Sequence, residues 1–195
     1  CELVSETYYH SLASVYSAEE FSRQIDLQNK ALKKHFDFSP KFFRNTELVY
    51  NNSIAAMVEK MGFDGMLAEG WDEILQWRSP NFLYQAKGGA LRLLARNYKL
   101  SDDIGFRFSN REWKEWPLTA EKYTEWINLL NLDQECQTVN LFMDYETFGE
   151  HQWESEGIFP FFRHLIKELT DHPHTNFVTP SQVIANHTPQ AEFYS

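Results

Sequence analysis

The chain has few cysteines and no long apolar run. Cys1 and Cys136 are the only cysteines among 195 residues, so the sequence contains neither a disulfide framework nor a C-x-x-C metal pair. A reducing compartment is therefore expected, and with it a cytoplasmic location. No stretch of about twenty apolar residues occurs, so no segment is expected to span a membrane.

Positive charge is also scarce. Lys and Arg together number 18 against 28 Asp and Glu, and the formal net charge is −10. This balance argues against nucleic acid and against anionic membrane surfaces as partners. A neutral polymer or a small molecule fits better, and the sequence leaves the oligomeric state unknown.

Aromatic and apolar residues, by contrast, are abundant. Hydrophobic residues make up 43% and aromatic residues 16% of the chain, which excludes a disordered protein. An excess of aromatic rings is typical of a sugar-binding cleft, because the C–H faces of pyranose rings lie flat on them. A core rich in Phe explains the same composition, so both interpretations stay open.

Strand-like and helix-like segments alternate along the chain, without a repeat or a linker. Predicted strands cover residues 2–6, 42–47, 65–68, 81–85, 138–143 and 176–178, and residues 91–97 fit either a strand or a helix. Helices are predicted to begin at Ser17, Ser53, Ser101, Thr119, Ile158 and Thr179. This alternation predicts an α/β fold with a parallel sheet, either open or closed into a barrel.

Carboxylates follow several of the predicted strands, namely Glu6, Glu47, Glu69 and Asp144. A carboxylate at the end of a buried strand costs stability unless it is paired or used. In a barrel of parallel strands these positions lie on the face where active sites are built. The segments around these carboxylates are therefore candidate site motifs.

The first motif is Ser-Glu-Thr-Tyr-Tyr-His at residues 5–10. Glu6 and His10 are four residues apart and can share one face of a helix. Taken alone, the spacing is equally compatible with a surface ion pair that contributes a few tenths of a kcal/mol.

The second motif is Phe-Arg-Asn-Thr-Glu-Leu-Val-Tyr-Asn-Asn at residues 43–52. It surrounds Glu47 with hydrogen-bond donors such as Arg44 and Asn45. Donors of this kind lower the pKa of a carboxyl group and keep a nucleophile ionised. An ordinary Arg–Glu pair at a strand end is the alternative.

The third motif is Leu-Phe-Met-Asp-Tyr-Glu-Thr-Phe-Gly-Glu-His at residues 141–151. Asp144 follows an apolar run, and burial there is expected to raise its pKa toward that of a general acid. Glu146 adds a second carboxylate nearby. A metal site built from Asp144, Glu146, Glu150 and His151 is the alternative.

Taken together and in this order, the three motifs resemble the conserved regions of glycoside hydrolase family 57, which contains α-amylases and 4-α-glucanotransferases. The resemblance is strongest to its α-amylase-like branch. It continues through the segments Met-Gly-Phe-Asp-Gly (61–65), Arg-Ser-Pro-Asn (78–81), Arg-Asn-Tyr-Lys-Leu-Ser-Asp-Asp (96–103) and Phe-Arg-Phe-Ser (106–109), and so covers nearly the whole chain.

The resemblance implies an incomplete, TIM-like (β/α)7 barrel, a retaining mechanism and α-1,4-glucan substrates. It implies Glu47 as the nucleophile and Asp144 as the general acid/base, with no metal and no organic cofactor. Residues implied to line the substrate cleft are Glu6, His10, Arg44, Glu146, His151 and Trp153. Trp71 and Trp77 are further stacking candidates. The resemblance does not separate an α-amylase from a 4-α-glucanotransferase or a branching enzyme.

The chain departs from the family pattern at both ends. The His-Gln-Pro motif of the first strand and the last conserved region are absent. Residues 1–195 are therefore interpreted as the central part of the catalytic barrel, without its first strand and its C-terminal helical region. Such a segment is expected to be inactive alone, with an open gap beside residues 2–6.

The sequence disfavours two other classes of protein. A polysaccharide deacetylase has a related barrel but needs a metal held by an Asp and an H-x-x-x-H pair, whereas His172 and His174 are two apart. A carbohydrate-binding homologue without activity is disfavoured because both candidate carboxylates are present.

Overall fold

The computed structural model describes residues 1–132 and 136–193. The chain divides into two compact units. The sheet unit comprises Cys1–Arg96 and Val178–Ser195, and the helical unit comprises Asn97–Phe177. Within the described residues, no helix combines the length and the apolar character that crossing a membrane requires.

The sheet unit is built on one open, mostly parallel sheet. Its strands are β1 (Phe42–Arg44), β2 (Gly65–Glu69), β3 (Leu83–Ala86), β4 (Arg92–Arg96) and β5 (Ala191–Phe193), in the spatial order β1-β2-β4-β3-β5. Strands β1, β2 and β4 are parallel, and β3 is antiparallel to β4 but parallel to β5. The α/β class predicted from the sequence is confirmed.

The helices, in chain order, are α1 (Ala13–Tyr16), α2 (Ala18–Phe36), α3 (Asn52–Lys60), α4 (Asp72–Leu75), α5 (Tyr98–Gly105), α6 (Ala120–Leu132), α7 (Ile158–Asp171) and α8 (Pro180–Asn186). Several begin where the sequence predicts a cap. The Ser17 hydroxyl accepts a hydrogen bond from the Glu20 N–H (3.2 Å), and Thr179 and Gln182 form a complete capping box on α8. These caps supply partners for backbone donors that the first helical turn leaves unpaired.

Helix α5 begins earlier than predicted. The Asn97 side chain caps it by accepting a hydrogen bond from the Leu100 N–H (3.1 Å). Ser101, the predicted cap, is instead buried inside the helix, where its hydroxyl accepts a hydrogen bond from the Phe142 N–H (3.2 Å). The prediction was wrong because Asn97 is an equally good cap and lies directly after β4.

Three predicted strands differ from the structure. Residues 2–6 form only a single parallel bridge, between Ser5 and Phe43. Residues 138–143 and 176–178 are extended or irregular rather than paired strands, although the Asn97 N–H donates to the Asn140 carbonyl (2.9 Å). An apolar run becomes a strand only where a neighbouring edge pairs with it, and periodicity does not reveal that partner.

The core of the sheet unit is formed by residues of α2, α3 and the sheet. Phe21 and Ile25 of α2 are fully buried, and the Phe21 ring packs edge-on against Phe43 of β1 with centroids 5.6 Å apart. The helical spacing of Phe21, Ile25, Leu32 and Phe36 predicts one apolar face on α2. This face is buried as far as Leu32, whereas Phe36 at the helix end is 65% exposed.

The helical unit has a second apolar core between α6 and α7. Tyr123 of α6 is fully buried and packs edge-on against Phe161 of α7 at 6.2 Å between centroids. The Tyr123 hydroxyl donates to the Leu100 carbonyl (2.8 Å), so its one polar atom is paired within the core.

Candidate active site

The first two motifs meet at one edge of the sheet. The Ser5 N–H donates to the Phe42 carbonyl (2.9 Å), and the Arg44 N–H donates to the Ser5 carbonyl (2.8 Å). Just beyond this bridge, the buried hydroxyls of Thr7 and Thr46 are hydrogen-bonded at 2.8 Å. The two segments run parallel at this bridge, so Glu6 lies directly after the bridging residue Ser5 and Glu47 lies in the turn that follows β1.

Glu47 lies in a tight turn with unusual backbone geometry. Residues Thr46–Leu48 form a 3₁₀ turn in which Glu47 (φ 54°) and Leu48 (φ 54°) are both left-handed. The buried Asn45 amide holds this turn by donating to the Val49 carbonyl and to the Ser14 hydroxyl, each at 2.9 Å. A side chain with a Cβ in this region costs about 1–3 kcal/mol, and such costs often occur at functional sites.

His10 lies between the two carboxylates. Its Nδ1 is 3.4 Å from Glu6 Oε2, and its Nε2 is 3.4 Å from Glu47 Oε1. His10 is itself left-handed, with φ 50°. An imidazole donates from both nitrogens only when it is protonated, so a protonated ring would hold both carboxylates at once.

The donors predicted around Glu47 are directed elsewhere. Arg44 pairs with Glu6, at 3.8 Å between Nη1 and Oε2. Asn45 binds the turn as described, and the Asn51 side chain caps α3 by accepting from the Ile54 N–H. The Glu47 side chain is 71% exposed, so it projects toward solvent with His10 as its described partner.

The next strands along the sheet carry a further ion pair. Glu69 at the end of β2 faces Arg96 at the end of β4 in the parallel register, and their side chains are 3.3 Å apart. A second Glu69 oxygen accepts from the Gly70 N–H (2.9 Å). The sequence indicates Glu69 as a carboxylate after a strand, but it does not indicate Arg96 as the ion-pair partner of Glu69, because that pairing depends on strand register.

The third motif lies in the helical unit. Asp144 precedes a 3₁₀ turn, Tyr145–Thr147, and its side chain is exposed rather than buried as predicted. The expected burial is wrong because the chain turns to the surface here, and the Tyr145 side chain is 96% exposed. Five residues after this turn, the buried Gln152 amide donates to the Gly105 carbonyl (2.8 Å) and anchors the loop.

The remaining residues of this motif lie on the same loop. The His151 N–H donates to the Glu146 carbonyl (2.9 Å), and both side chains are exposed. Trp153 is 65% exposed, as a stacking platform requires. Glu47 belongs to the sheet unit and Asp144 to the helical unit, so their pairing stays a prediction.

A metal centre is not suggested by the side chains that the structure describes. Within residues 1–132 and 136–193, no three His, Cys, Asp or Glu side chains form a group that could hold a metal ion. The Asp144, Glu146, Glu150 and His151 alternative therefore gains no support from the structure.

Solved structures share the fold of this chain. A 4-alpha-glucanotransferase from Thermococcus litoralis superposes with a TM-score of 0.78 at 20% identity, over 99% of this chain and 30% of that chain. A branching enzyme from Thermococcus kodakaraensis superposes with a TM-score of 0.73 at 14% identity, over 99% of this chain and 48% of that chain. At these identities the likeness concerns the fold.

Sequence comparison identifies the family. A protein of Methanocaldococcus jannaschii named "Putative alpha-amylase" is 48% identical over 194 residues, which are 99% of this chain and 40% of that protein. The chain thus spans about two fifths of the length of this relative. The model of glycosyl hydrolase family 57 matches residues 1–194. The chain that carries the Glu6–His10–Glu47 arrangement therefore belongs to glycosyl hydrolase family 57.

Proposed function

We propose that this chain is the central part of a retaining glycoside hydrolase barrel that acts on α-1,4-glucans. Glu47 is the nucleophile and Asp144 the general acid/base. The observation that carries the proposal is the contact of His10 with Glu6 and Glu47, beside the bridge that sets the Ser5 segment parallel to β1. Family membership and the 48% identity to the Methanocaldococcus jannaschii protein support the same function.

The proposed reaction has two displacements. Asp144 donates its proton to the glycosidic oxygen while a Glu47 carboxylate oxygen attacks the anomeric carbon, and the bond to the leaving sugar breaks. Water then attacks the same carbon, gives its proton to Asp144 and releases Glu47. The product keeps the anomeric configuration of the substrate, because two inversions occur.

The geometry around Glu47 suits a nucleophile. The left-handed turn and the Asn45 hydrogen bonds hold its backbone. His10 contacts one carboxylate oxygen, and the Glu47 side chain is 71% exposed. His10, Glu6 and Arg44 are proposed to position the carboxylate and to bind sugar hydroxyls. On the Asp144 loop, Glu146, His151 and Trp153 are proposed to contact the substrate.

A glucanotransferase or a branching enzyme would use the same covalent intermediate. A sugar hydroxyl, rather than water, would then attack the glucosyl–Glu47 ester. The two solved structures described above carry these activities on the same fold. The distinction lies in the acceptor, and product analysis on maltooligosaccharides and on starch separates the three activities.

The test uses the full-length protein with Glu47→Gln. We expect a loss of turnover of about 10⁴-fold or more on every glucan, because the amide is not a nucleophile. A variant at an exposed carboxylate of α2, Asp26→Asn, should retain activity. Substantial turnover by Glu47→Gln would refute the assignment, and inversion of the anomeric configuration in the wild type would refute the retaining mechanism.

A further inference from the structure

A concave surface lies within the helical unit. We call it the α6–α7 cavity, and its volume is about 470 Å³. Its walls are the segments 116–121 and 155–157, with Phe108, Arg111, Phe161 and His164 completing the lining. This volume is within the range of small-ligand sites, which runs from roughly 300 to 1,000 Å³.

The lining combines an apolar floor with a polar rim. Phe108, Leu118 and Phe161 are buried and form part of the apolar core. Trp116 is 41% exposed, and the guanidinium of Arg111 lies 5.7 Å from its ring centroid. An exposed indole beside a planar donor offers both a stacking surface and hydrogen bonds.

The rim provides acceptors as well as donors. Glu121 and Glu156 face the cavity together with His164. A hydrogen bond from its own backbone N–H, with a second from the Thr119 hydroxyl, holds the pKa of Glu121 below its usual value. The two carboxylates disfavour the binding of a phosphate or another anion, and the positive charge of Arg111 disfavours the binding of a simple cation. Donors and acceptors on the same rim favour a neutral ligand with many hydroxyl groups.

The wall that presents Trp116 is held in place before any ligand binds. Lys122 Nζ donates to the Glu115 carbonyl (2.7 Å) and to the Pro117 carbonyl (3.2 Å), on either side of Trp116. The backbone N–H of Trp116 donates to the Trp113 carbonyl (2.9 Å). A fixed loop lowers the entropy cost of binding.

The opposite wall belongs to the loop that carries Asp144. After Trp153 the chain forms a 3₁₀ turn, Glu154–Glu156, in which the Glu156 N–H donates to the Trp153 carbonyl (3.0 Å). The next residue, Gly157 (φ 87°), directly precedes α7 as its N-cap and also lines the cavity. A ligand in the cavity therefore contacts the same loop as the candidate acid/base.

From these observations we infer that the α6–α7 cavity binds one or two glucosyl units of an α-glucan, as a site additional to the Glu47–Asp144 centre. This inference rests on the proposed function for the identity of the sugar. The apolar floor would take the C–H faces of the sugar, and Arg111, Glu121 and Glu156 would bind its hydroxyls.

The experiment is a titration of the full-length Glu47→Gln protein with maltotriose, followed by the indole N–H resonances of its Trp residues. We expect the Trp116 resonance, which is identified by its absence in Trp116→Ala, to shift as maltotriose is added. Arg111→Ala keeps the Trp116 ring as a reporter and should weaken the affinity for maltotriose at this site about tenfold or more. Phe106→Ala removes an aromatic side chain that is 68% exposed and does not line the cavity, and it serves as the matched control.

The outcomes separate this inference from the proposed function. If maltotriose binds near Trp153 but the Trp116 resonance does not respond, the cavity is not a sugar site, and the proposed function stands. If another part of the full-length protein occupies the cavity, the Trp116 resonance also fails to respond, and the inference of a sugar site is again refuted. A saturable response at Trp116 in a protein whose wild type hydrolyses no α-glucan supports the sugar site and refutes the proposed function.

Discussion

Glu47 occupies a backbone conformation that glycine adopts more readily than any residue with a Cβ. Its φ of 54° and ψ of 23° are left-handed. We therefore expect Glu47→Gly to have a higher free energy of unfolding than Glu47→Ala, by about 1 kcal/mol. Urea denaturation of the two variants measures this difference, and both should be inactive.

The same two substitutions at a residue with right-handed helical backbone should change the free energy of unfolding in the opposite order. Lys30 is exposed in the middle of α2, and Lys30→Gly should be less stable than Lys30→Ala by about 1 kcal/mol. If the Gly variant were the less stable one at both positions, the left-handed turn at Glu47 would be contradicted.

Asp144 is predicted to act by protonating the leaving group. Asp144→Asn should slow hydrolysis of maltooligosaccharides by about 10²–10⁴-fold, the usual contribution of a general acid. An aryl maltoside with an acidic phenol needs little protonation, so bond cleavage with it should be slowed much less. Pre-steady-state release of the phenol measures this step, and an equal loss on both substrates would contradict the acid role.

Helix α2 begins at Ser17, whose hydroxyl accepts from the Glu20 N–H. The Glu20 carboxylate does not complete a capping box but binds the Arg23 guanidinium (2.6 Å) and the Gln24 amide (2.8 Å). Ser17→Ala should therefore lower the free energy of unfolding by about 1 kcal/mol, the value of one cap. Ser17→Asp keeps an acceptor and should stay within about 0.5 kcal/mol of the wild type. Equal losses in the two variants, measured by urea denaturation, would argue against a capping role.

The sheet unit depends on the contact between α2 and β1. Phe43 is fully buried against Phe21 and Phe63, so Phe43→Ala should cost about 3–5 kcal/mol through lost burial and a residual cavity. Phe36→Ala makes the same chemical change at a residue that is 65% exposed, and it should stay within about 0.5 kcal/mol of the wild type. Thermal and urea unfolding of both variants test the position of the core.

Features that depend on neighbours along the chain could be predicted from the sequence alone. The caps at Ser17 and Thr179 lie where the residue pattern predicts them, and Gly62 follows α3 in a left-handed conformation (φ 89°), as expected for a glycine after a helix. These elements depend on hydrogen bonds and side-chain contacts within about four residues, which the sequence contains directly. The motif order likewise identified family 57, which the family model confirms.

Features that depend on contacts between distant segments were decided by the tertiary structure. Strand β5 pairs with β3 from the far end of the chain, and Arg96 pairs with Glu69 because the β2–β4 register places them side by side. His10 contacts both Glu6 and Glu47 only because Ser5 bridges to β1 and sets the two segments in parallel. No local pattern specifies such a register, because it is selected by the packing of whole strands against a shared core.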